Sequence, residues 1–540
     1  MANTSQKMRL RSAILATLNK YRNNPTVDNA QIKEDTEALE TIEDKEYLCK
    51  ILLKEISGDD TILANICSLF AIELISNEIF EKQAFTILKD KKISDERKFY
   101  VISIMKQKGI EFDYDNVSEY IQNPEEIAQS GVRDFLSNAI SDPEVQIDLL
   151  DFYLNIPKDE RLSLLDNLIN EFEGDDLANA FSILTELDVE EDELEYLLNG
   201  LLQAKSPYSL EGLNYILNNY NLDKKINKII EKAIKEIKFA NPNFVNNAII
   251  SNSKIMKCYI SFADGHSEFS LVIARQNPEG LIDTCLFTMH LLKGITACMG
   301  FGAITPLNFK AVVKRLFYYS IPVEINPVML KALGMYYYAK NKKTNTKLPF
   351  EFIVWKKLLN DVKDLNNDVS DVINSKLESI NLTETQIKKI ANSKMLENWL
   401  FEYGQNKHVD KIIKKLEKEH ITDINKINDI VKKSITSDFL KDKEFNLELT
   451  SRLLIQAYVA HLAKLTRSSS CAYSLCFETP HKNMFINIMI DKSLYCYFAD
   501  KIADQESQDK NVFDKQDKIS SKYTKEELED LMSKLEAKWN

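Results

Sequence analysis

The sequence predicts a mainly α fold: an α–α superhelix, then a small α+β module, then a C-terminal helical region. Three observations support this prediction. The 540 residues include only 13 Gly and 12 Pro, below the average usage of roughly 7% and 5%, whereas sandwiches and barrels use both residues freely in their turns. Helical periodicity fills residues 44–238. A run of β-prone residues interrupts the helical pattern after Asn241-Pro242.

Signals for helix starts recur at a fixed period within residues 44–238. One series is evenly spaced and stands at Asp142-Pro143, Gly174-Asp175 and Ser206-Pro207. A second, interleaved series has nearly the same spacing and stands near Pro124, Pro157, Glu190 and Leu222. Two interleaved series at one period indicate one helix pair per repeat. Because a single pair cannot bury its apolar face, stacking of neighbouring pairs is expected.

In period and pattern, residues 44–238 resemble the HEAT and armadillo-like helical repeats of uncharacterised bacterial proteins. The pairs are shorter than the roughly 40 residues typical of those families. Members of these families mostly act as binding scaffolds. The resemblance therefore implies an α solenoid within a first domain at 1–245 that presents a surface to a protein or peptide partner.

Residues 251–360 are predicted to form a three-stranded β-meander with covering helices. The first strand ends at Ala263-Asp264-Gly265-His266, and Asp-Gly between two apolar runs is a strong hairpin signal. The return strand is expected at about 268–275 and the third strand at 281–292. Helices are then predicted at about 305–319, 326–341 and 349–360. The module is similar to one that follows helical repeats in uncharacterised bacterial proteins, and this similarity implies no activity.

The remainder of the chain is predicted to be helical. Residues 361–505 form a helical domain whose longest stretch, about 446–478, is apolar in its middle. Residues 506–540 comprise a polar linker at 506–520 and a short charged helix at 524–538.

The sequence predicts no catalytic motif, metal site or cofactor. The spacing C-x4-C-x4-H stands at Cys471, Cys476 and His481, but five residues on a helix separate two side chains by about 140°, too far for one metal ion. The nucleophile-elbow, metalloprotease, P-loop and dinucleotide-binding motifs do not occur. The glycine cluster Gly294, Gly300 and Gly302 predicts a tight turn between the third strand and a helix, with an anion-binding loop as the alternative.

The distribution of charge favours a basic partner over nucleic acid. The net charge is −13, with −19 in residues 1–250 and +6 in 251–540, and residues 111–200 alone account for −22. Such an acidic segment argues against nucleic acid on that surface, because binding phosphates needs clustered Lys and Arg. The candidate partner-binding residues are Glu191, Asp192 and Glu195. The alternative is an acidic outer face that only keeps the repeat soluble.

These features predict a non-enzymatic scaffold or adaptor in the cytoplasm. Eight cysteines without a CxxC pair indicate reduced thiols, and no run of 18 apolar residues predicts a membrane span. One alternative is an enzyme of unknown class with its site in 251–360, near Asp264, His266 and the glycine cluster. The other is a nucleic-acid-associated protein that uses the basic C-terminal half, where Tyr336 to Tyr338 precede several lysines.

Overall fold

The computed structural model describes residues 2–22, 29–244, 246, 250, 252–318, 320–396, 399–401, 403–477, 479–510 and 523–539. Helices make up 66% of the structure, with one small antiparallel sheet, so the mainly α fold is confirmed. The chain divides into two compact units, Met1–Phe135 and Leu136–Asn540. This division lies inside the predicted first domain, 1–245, and the four predicted domains stay predictions.

The first unit is helical. Its helices are α1 (Ala2–Leu18), α2 (Asn29–Glu40), α3 (Lys45–Ile56), α4 (Thr61–Leu74), α5 (Asn77–Leu88) and α6 (Asp95–Gln107), and α7 (Pro124–Asn138) crosses the boundary. Asp44 and Asp60 accept hydrogen bonds from backbone N–H groups at the starts of α3 and α4, which stabilises both helix ends. The core of this unit includes Leu52, Phe70 and Phe80.

The second unit begins with six further helices. They are α8 (Pro143–Asn155), α9 (Lys158–Glu171), α10 (Gly174–Leu184), α11 (Glu191–Ala204), α12 (Ser209–Asn219) and α13 (Lys224–Ala240). Their first residues lie within a few positions of the predicted starts, so those predictions are confirmed. Asp142 shows why the signals are reliable, because its side chain accepts from the N–H of Glu144 at 2.8 Å and Pro143 needs no such partner.

Among these six helices, some pack against the next helix in the chain and some against the next but one. Contacts join α10 to α11 and α11 to α12, while α8 contacts α10, α9 contacts α11 and α10 contacts α12. Leu177, Phe181 and Leu197 are fully buried between them. The apolar faces seen in the sequence are therefore covered by nearby segments of the chain.

One antiparallel sheet follows, and five strands build it within the described residues. They are β1 (Lys254–Ile260), β2 (Glu268–Gln276), β3 (Ile282–His290), β4 (Gly294–Ile304) and β5 (Val323–Glu324). Their order is β4-β3-β2-β1-β5, so β1 to β4 form a meander and β5 pairs with the other side of β1. The predicted meander has three strands, and the structure corrects this prediction by adding β4 and β5.

Helices pack on both faces of the sheet: Phe309 lies against Ala274 and Ile282 on one face, and the other face carries the larger core. The helices are α14 (Pro306–Leu316), α15 (Pro327–Thr344) and α16 (Glu351–Trp355), the last continued by a short 3-10 turn at Lys356–Leu359. Helices α15 and α16 contact β4, and α15 also contacts β1 and β2. The buried side chains of Phe269 and Phe287 meet Tyr337 and Phe352 edge to face, with ring centres 5.3 Å apart in both pairs.

The glycine cluster lies in a strand and not in the predicted tight turn. Gly294, Gly300 and Gly302 all belong to β4. Glycine in a strand often marks a close approach of another group, and at Gly300 that group is the indole of Trp355. A Cβ atom on Gly300 would lie 1.9 Å from Trp355 Cε2. Gly300 therefore reflects packing, which sequence spacing alone does not reveal.

The C-terminal helical region contains eight helices among its described residues. They are α17 (Val369–Asn374), α18 (Glu384–Ala391), α19 (Lys407–Glu419), α20 (Ile424–Ser434), α21 (Lys443–Leu462), α22 (Thr466–Leu475), α23 (Thr479–Lys510) and α24 (Lys525–Trp539). The predicted apolar stretch 446–478 is divided between α21 and α22. Of the predicted linker 506–520, residues 506–510 belong to α23, and 511–520 lie outside the described residues. The predicted charged helix is confirmed as α24.

An ion pair joins the sheet to the segment after α16. Arg275 of β2 is 2% exposed and pairs with both carboxylate oxygens of Asp361, at 2.7 and 2.8 Å. The same guanidinium also donates to the backbone oxygens of Ser253 and Leu358, both at 3.1 Å. Bidentate pairing of this kind fixes geometry as well as charge.

Candidate functional site

The loop between β1 and β2 holds a polar segment in a defined conformation. The side chain of Asp264 accepts hydrogen bonds from the N–H groups of His266 (2.9 Å) and Glu268 (2.8 Å). Ser267 has φ +65° although it carries a side chain, and it is fully buried. A left-handed conformation at such a residue costs on the order of 1 kcal/mol or more, so the surroundings must stabilise it.

Arg452 of α21 supplies that stabilisation from 185 residues further along the chain. Its Nε donates to Ser267 Oγ and its Nη2 donates to Glu448 Oε1, both at 2.9 Å. Ser267 Oγ also donates to Glu448. Burial lowers the pKa of Arg452, and Glu448 opposes this shift. The group stays charged, because the pKa of an arginine lies far above neutrality.

Two further contacts, one of them from α21, hold the loop in place. Gln456 accepts from the N–H of Ala263 at 2.8 Å, and the indole Nε1 of Trp399 donates to the carbonyl of Ala263 at 2.9 Å. The guanidinium of Arg452 lies 5.0 Å from the centre of the Trp399 ring, a distance at which a cation is attracted to the ring face. The loop, α21 and Trp399 thus form one packed unit.

A cavity of about 430 Å³ lies beside this unit, which is within the usual size range of small-molecule sites. One part of its lining is apolar and consists of Leu400, Phe401, Phe445 and Leu449. The other part is polar and consists of Gly265, His266, Glu268, His290, Lys293, Gln405, Asn406, Glu448 and Arg452. Below, this cavity is called the hairpin pocket.

His290, Lys293 and Glu268 give the hairpin pocket its remaining polar chemistry. The Nδ1 atom of His290 accepts from the N–H of Leu292 at 3.1 Å, so the proton of the neutral ring is on Nε2. Burial and then the charge of Lys293 lower the pKa of His290, which keeps the ring neutral at neutral pH. Glu268 accepts from Thr296 Oγ1 at 2.9 Å and lies opposite His290 in the sheet register.

The sequence analysis predicted only some of the residues of this site. The predicted enzyme site combined Asp264, His266 and the glycine cluster. The structure places His266 at the pocket, while the Asp264 carboxylate is occupied by backbone N–H groups and the glycines lie in β4. Arg452 and Glu448 were missed. Their one sequence signal is an arginine in the apolar middle of the 446–478 stretch, next to Leu453 and Leu454.

The candidate partner-binding residues lie on the surface of α11. Glu191, Asp192 and Glu195 are all exposed, and none of the three has an ion pair among the described residues. The start of α9 lies next to the start of α11, because Lys158 pairs with Glu190 and Arg161 pairs with Glu193 at 3.4 Å. The first turn of α9 adds two more exposed carboxylates without an ion pair in the described chain, Asp159 and Glu160. Below, Asp159, Glu160, Glu191, Asp192 and Glu195 are called the acidic face.

Two neighbouring acids in the same sequence run have structural roles. Glu193 is 4% exposed and accepts from Tyr153 Oη at 3.0 Å and from the N–H of Glu190 at 2.8 Å. Glu190 is the N-cap residue of α11. This arrangement is a capping box, which stabilises a helix start. The run 190–195 therefore combines structural and freely exposed carboxylates.

The other sequence signals occupy structural positions. Cys471 is buried in α22 and Cys476 ends that helix, and burial raises the pKa of both thiols. Among the described residues, no group of three His, Cys, Asp or Glu side chains could hold a metal ion. Tyr337 is 4% exposed and packs in the core, and Lys340 donates to the carbonyl of Leu291.

In comparisons with known proteins, the chain matches no family model, no curated protein and no solved structure. Among the described helices, none is both long enough and apolar enough to cross a membrane.

Proposed function

We propose that this protein is a non-enzymatic scaffold or adaptor that binds a basic protein or peptide. The proposal treats α8 to α13 as an α solenoid of the HEAT and armadillo type, and places the protein in the cytoplasm, where its eight free cysteines would stay reduced. Packing of α8, α9 and α10 against their next-but-one neighbours supports the solenoid, since such packing lines up equivalent helices into an extended surface.

The observation that supports partner binding best is the acidic face. Its five carboxylates lie on the first turns of two adjacent helices, and they lack ion pairs among the described residues. Unpaired like charges at close range repel one another, and a cationic partner would relieve that repulsion. Because such charges act at long range in low salt, the acidic face should mainly accelerate association.

A triple charge reversal tests the proposal. Full-length protein and the variant Glu191→Lys, Asp192→Lys, Glu195→Lys would each be used to capture partners from native lysate, with identification by mass spectrometry. The captured partner should be basic, and it should bind the variant at least about tenfold more slowly at low salt. Binding should also weaken steeply as salt rises, because screening is strong beyond about 8 Å at physiological ionic strength.

A matched control is available in the C-terminal region. Asp371, Glu378 and Glu384 are exposed, and reversing all three to Lys changes the net charge by the same amount. This control variant should bind the partner as the unmodified protein does. The proposal fails if both variants slow association equally, if salt has no effect, or if no basic protein is retained.

A further inference from the structure

The hairpin pocket contains a buried cation whose hydrogen-bonding capacity is only partly used. Arg452 is 6% exposed, and its Nε and Nη2 atoms donate to Ser267 and Glu448. Its Nη1 atom has no hydrogen-bond partner among the described residues, although Arg452 lines the pocket. The Nη1 atom is not among the fully buried polar atoms and is therefore open to solvent. An acceptor that enters the pocket would form a charge-assisted hydrogen bond with it.

Two more donors line the same cavity. The neutral ring of His290 offers its Nε2–H, because Nδ1 already accepts from the backbone. Lys293 is exposed at the rim and forms no ion pair with any described residue. Together with Arg452, these groups present one neutral and two charged donors. A carboxylate is the acceptor that such a set recognises, since charged hydrogen bonds to carboxylates are short and strong.

The pocket also contains acidic acceptors, and a simple anion would leave these carboxylates without a cationic partner. Glu268 and Glu448 both line the cavity, and each has one carboxylate oxygen without a hydrogen-bond partner among the described residues. The lining thus contains two cations and two anions and is close to electrically neutral. A ligand of matching character carries one negative and one positive group.

The apolar part of the lining indicates that the ligand also has a hydrophobic part. Phe401 is 7% exposed and Leu449 is 2% exposed, and the ring centres of Phe401 and Phe445 are 5.5 Å apart. Large aromatic side chains supply apolar contact area for an aromatic or aliphatic group of a ligand. A cavity of about 430 Å³ has room for such a group together with both charges.

We propose that the hairpin pocket binds a free α-amino acid with a hydrophobic side chain. The carboxylate is received by Arg452, His290 and Lys293, the ammonium group by Glu268, and the side chain by Phe401 and Phe445. The ligand site is separate from the acidic face of α9 and α11, so it stands or falls independently of the scaffold function.

Three probe molecules separate the parts of this proposal on the unmodified, full-length protein. L-phenylalanine has all three features, 3-phenylpropionate lacks the ammonium group, and phenethylamine lacks the carboxylate. Isothermal titration calorimetry should show binding of L-phenylalanine, with each analogue weaker by about tenfold or more, because a site built for a polar group rejects a ligand that lacks it. Equal affinity for all three molecules, or no binding of L-phenylalanine at millimolar concentration, overturns the proposal.

Two single-residue variants then assign the charged groups. Glu268→Gln keeps an acceptor for Thr296 but removes the charge. It should therefore lower the affinity for L-phenylalanine about tenfold and leave the affinity for 3-phenylpropionate unchanged. Lys293→Ala should lower the affinity for the two probes that carry a carboxylate, L-phenylalanine and 3-phenylpropionate, and leave the affinity for phenethylamine unchanged.

Control variants at exposed positions away from the pocket are Glu279→Gln and Lys347→Ala, and both should bind L-phenylalanine normally. Thermal unfolding of each variant verifies that it is folded. If the Glu268 and Lys293 variants change the affinity for all three probes to the same extent, these side chains do not bind the ligand's ammonium and carboxylate groups, and the proposal is wrong. The comparison of probes on the unmodified protein remains decisive even if a variant does not fold.

Discussion

The helices α8 to α13 and the hairpin pocket are built from contacts of very different range. In the helices, side-chain hydrogen bonds such as Tyr153 to Glu193 and Ser206 to Asp175 span 40 and 31 residues. At the pocket, Arg452 reaches Ser267 across 185 residues and Gln456 reaches Ala263 across 193. Local contacts follow from the repeat period, whereas the pocket depends on where distant segments meet. The pocket region should therefore be the more sensitive to single substitutions in its supporting sheet.

The largest effect is expected in the sheet at Gly300. Gly300→Ala would place a Cβ atom 1.9 Å from the buried indole of Trp355, so the strand or the ring must move. Overpacking against a rigid buried ring should lower the free energy of unfolding by about 3 kcal/mol. Chemical denaturation followed by circular dichroism measures this loss.

Gly302→Ala is the matched control in the same strand. Its nearest neighbour would be a carboxylate oxygen of Glu144 at 3.4 Å, the end of a flexible side chain. This change should cost well under about 1 kcal/mol. If both variants lose equal stability, the sensitivity belongs to β4 as a whole and not to the contact with Trp355.

A smaller effect is expected at the ion pair between β2 and the segment after α16. Asp361→Asn leaves the buried Arg275 without its anionic partner, and we expect a loss of about 2 kcal/mol at neutral pH. This is below the roughly 3–5 kcal/mol of a fully buried pair, because the side chain of Asp361 is 45% exposed and water replaces part of the interaction. Asp364→Asn is the control, since Asp364 pairs with Lys331 while 87% exposed.

The same ion pair predicts a pH dependence with a definite sign. The hydrogen bonds from Arg275 lower the pKa of Asp361 below its ordinary range. The folded state therefore keeps this carboxylate charged at pH values where the unfolded chain protonates it. Its contribution is complete above the unfolded pKa of about 4 and is lost as pH falls through the folded pKa. The stability difference between the unmodified protein and Asp361→Asn should be constant near neutrality and shrink in acid; a difference that grows in acid contradicts this assignment.

The smallest effect is expected on the acidic face. Reversal of Glu191, Asp192 and Glu195 should change the free energy of unfolding by about 1 kcal/mol in total, because exposed charges contribute little apart from their interaction with the helix dipole. Denaturation in urea measures the change. A loss above about 3 kcal/mol would show that these side chains hold α11 in place, and would remove the contrast between the two regions.

The sequence was informative where a structural signal is local. Asp142 and Glu193 mark helix starts through side-chain hydrogen bonds to backbone N–H groups within three positions, so these starts could be predicted. Asp264-Gly265 likewise predicted the hairpin. The strand β4 could not be predicted, because glycine normally disfavours strands and the reason for Gly300 is the indole of Trp355, which belongs to a helix much further along the chain.

The hairpin pocket could be predicted only in fragments. His266 and Asp264 were seen because they accompany a turn signal, but the two have different roles in the structure. Arg452 and Glu448 lie one turn apart on one helix, which alone suggests an ordinary surface ion pair. Their proximity to Ser267 is a tertiary contact between segments that are distant in the sequence, and no local pattern encodes it. The exposed positions of Glu191, Asp192 and Glu195 could be anticipated from the period of α11.

The separation of 185 residues between Ser267 and Arg452 also matters during synthesis on the ribosome. At roughly 5–20 residues per second, α21 is translated roughly 10–40 s after the β1–β2 loop. During that interval the nascent loop has the hydrogen bonds of Asp264 but lacks the guanidinium that stabilises the left-handed Ser267. The helices α8 to α13, in contrast, can each pack as soon as the next one or two have left the exit tunnel. The pocket is thus among the last parts of the protein to become complete.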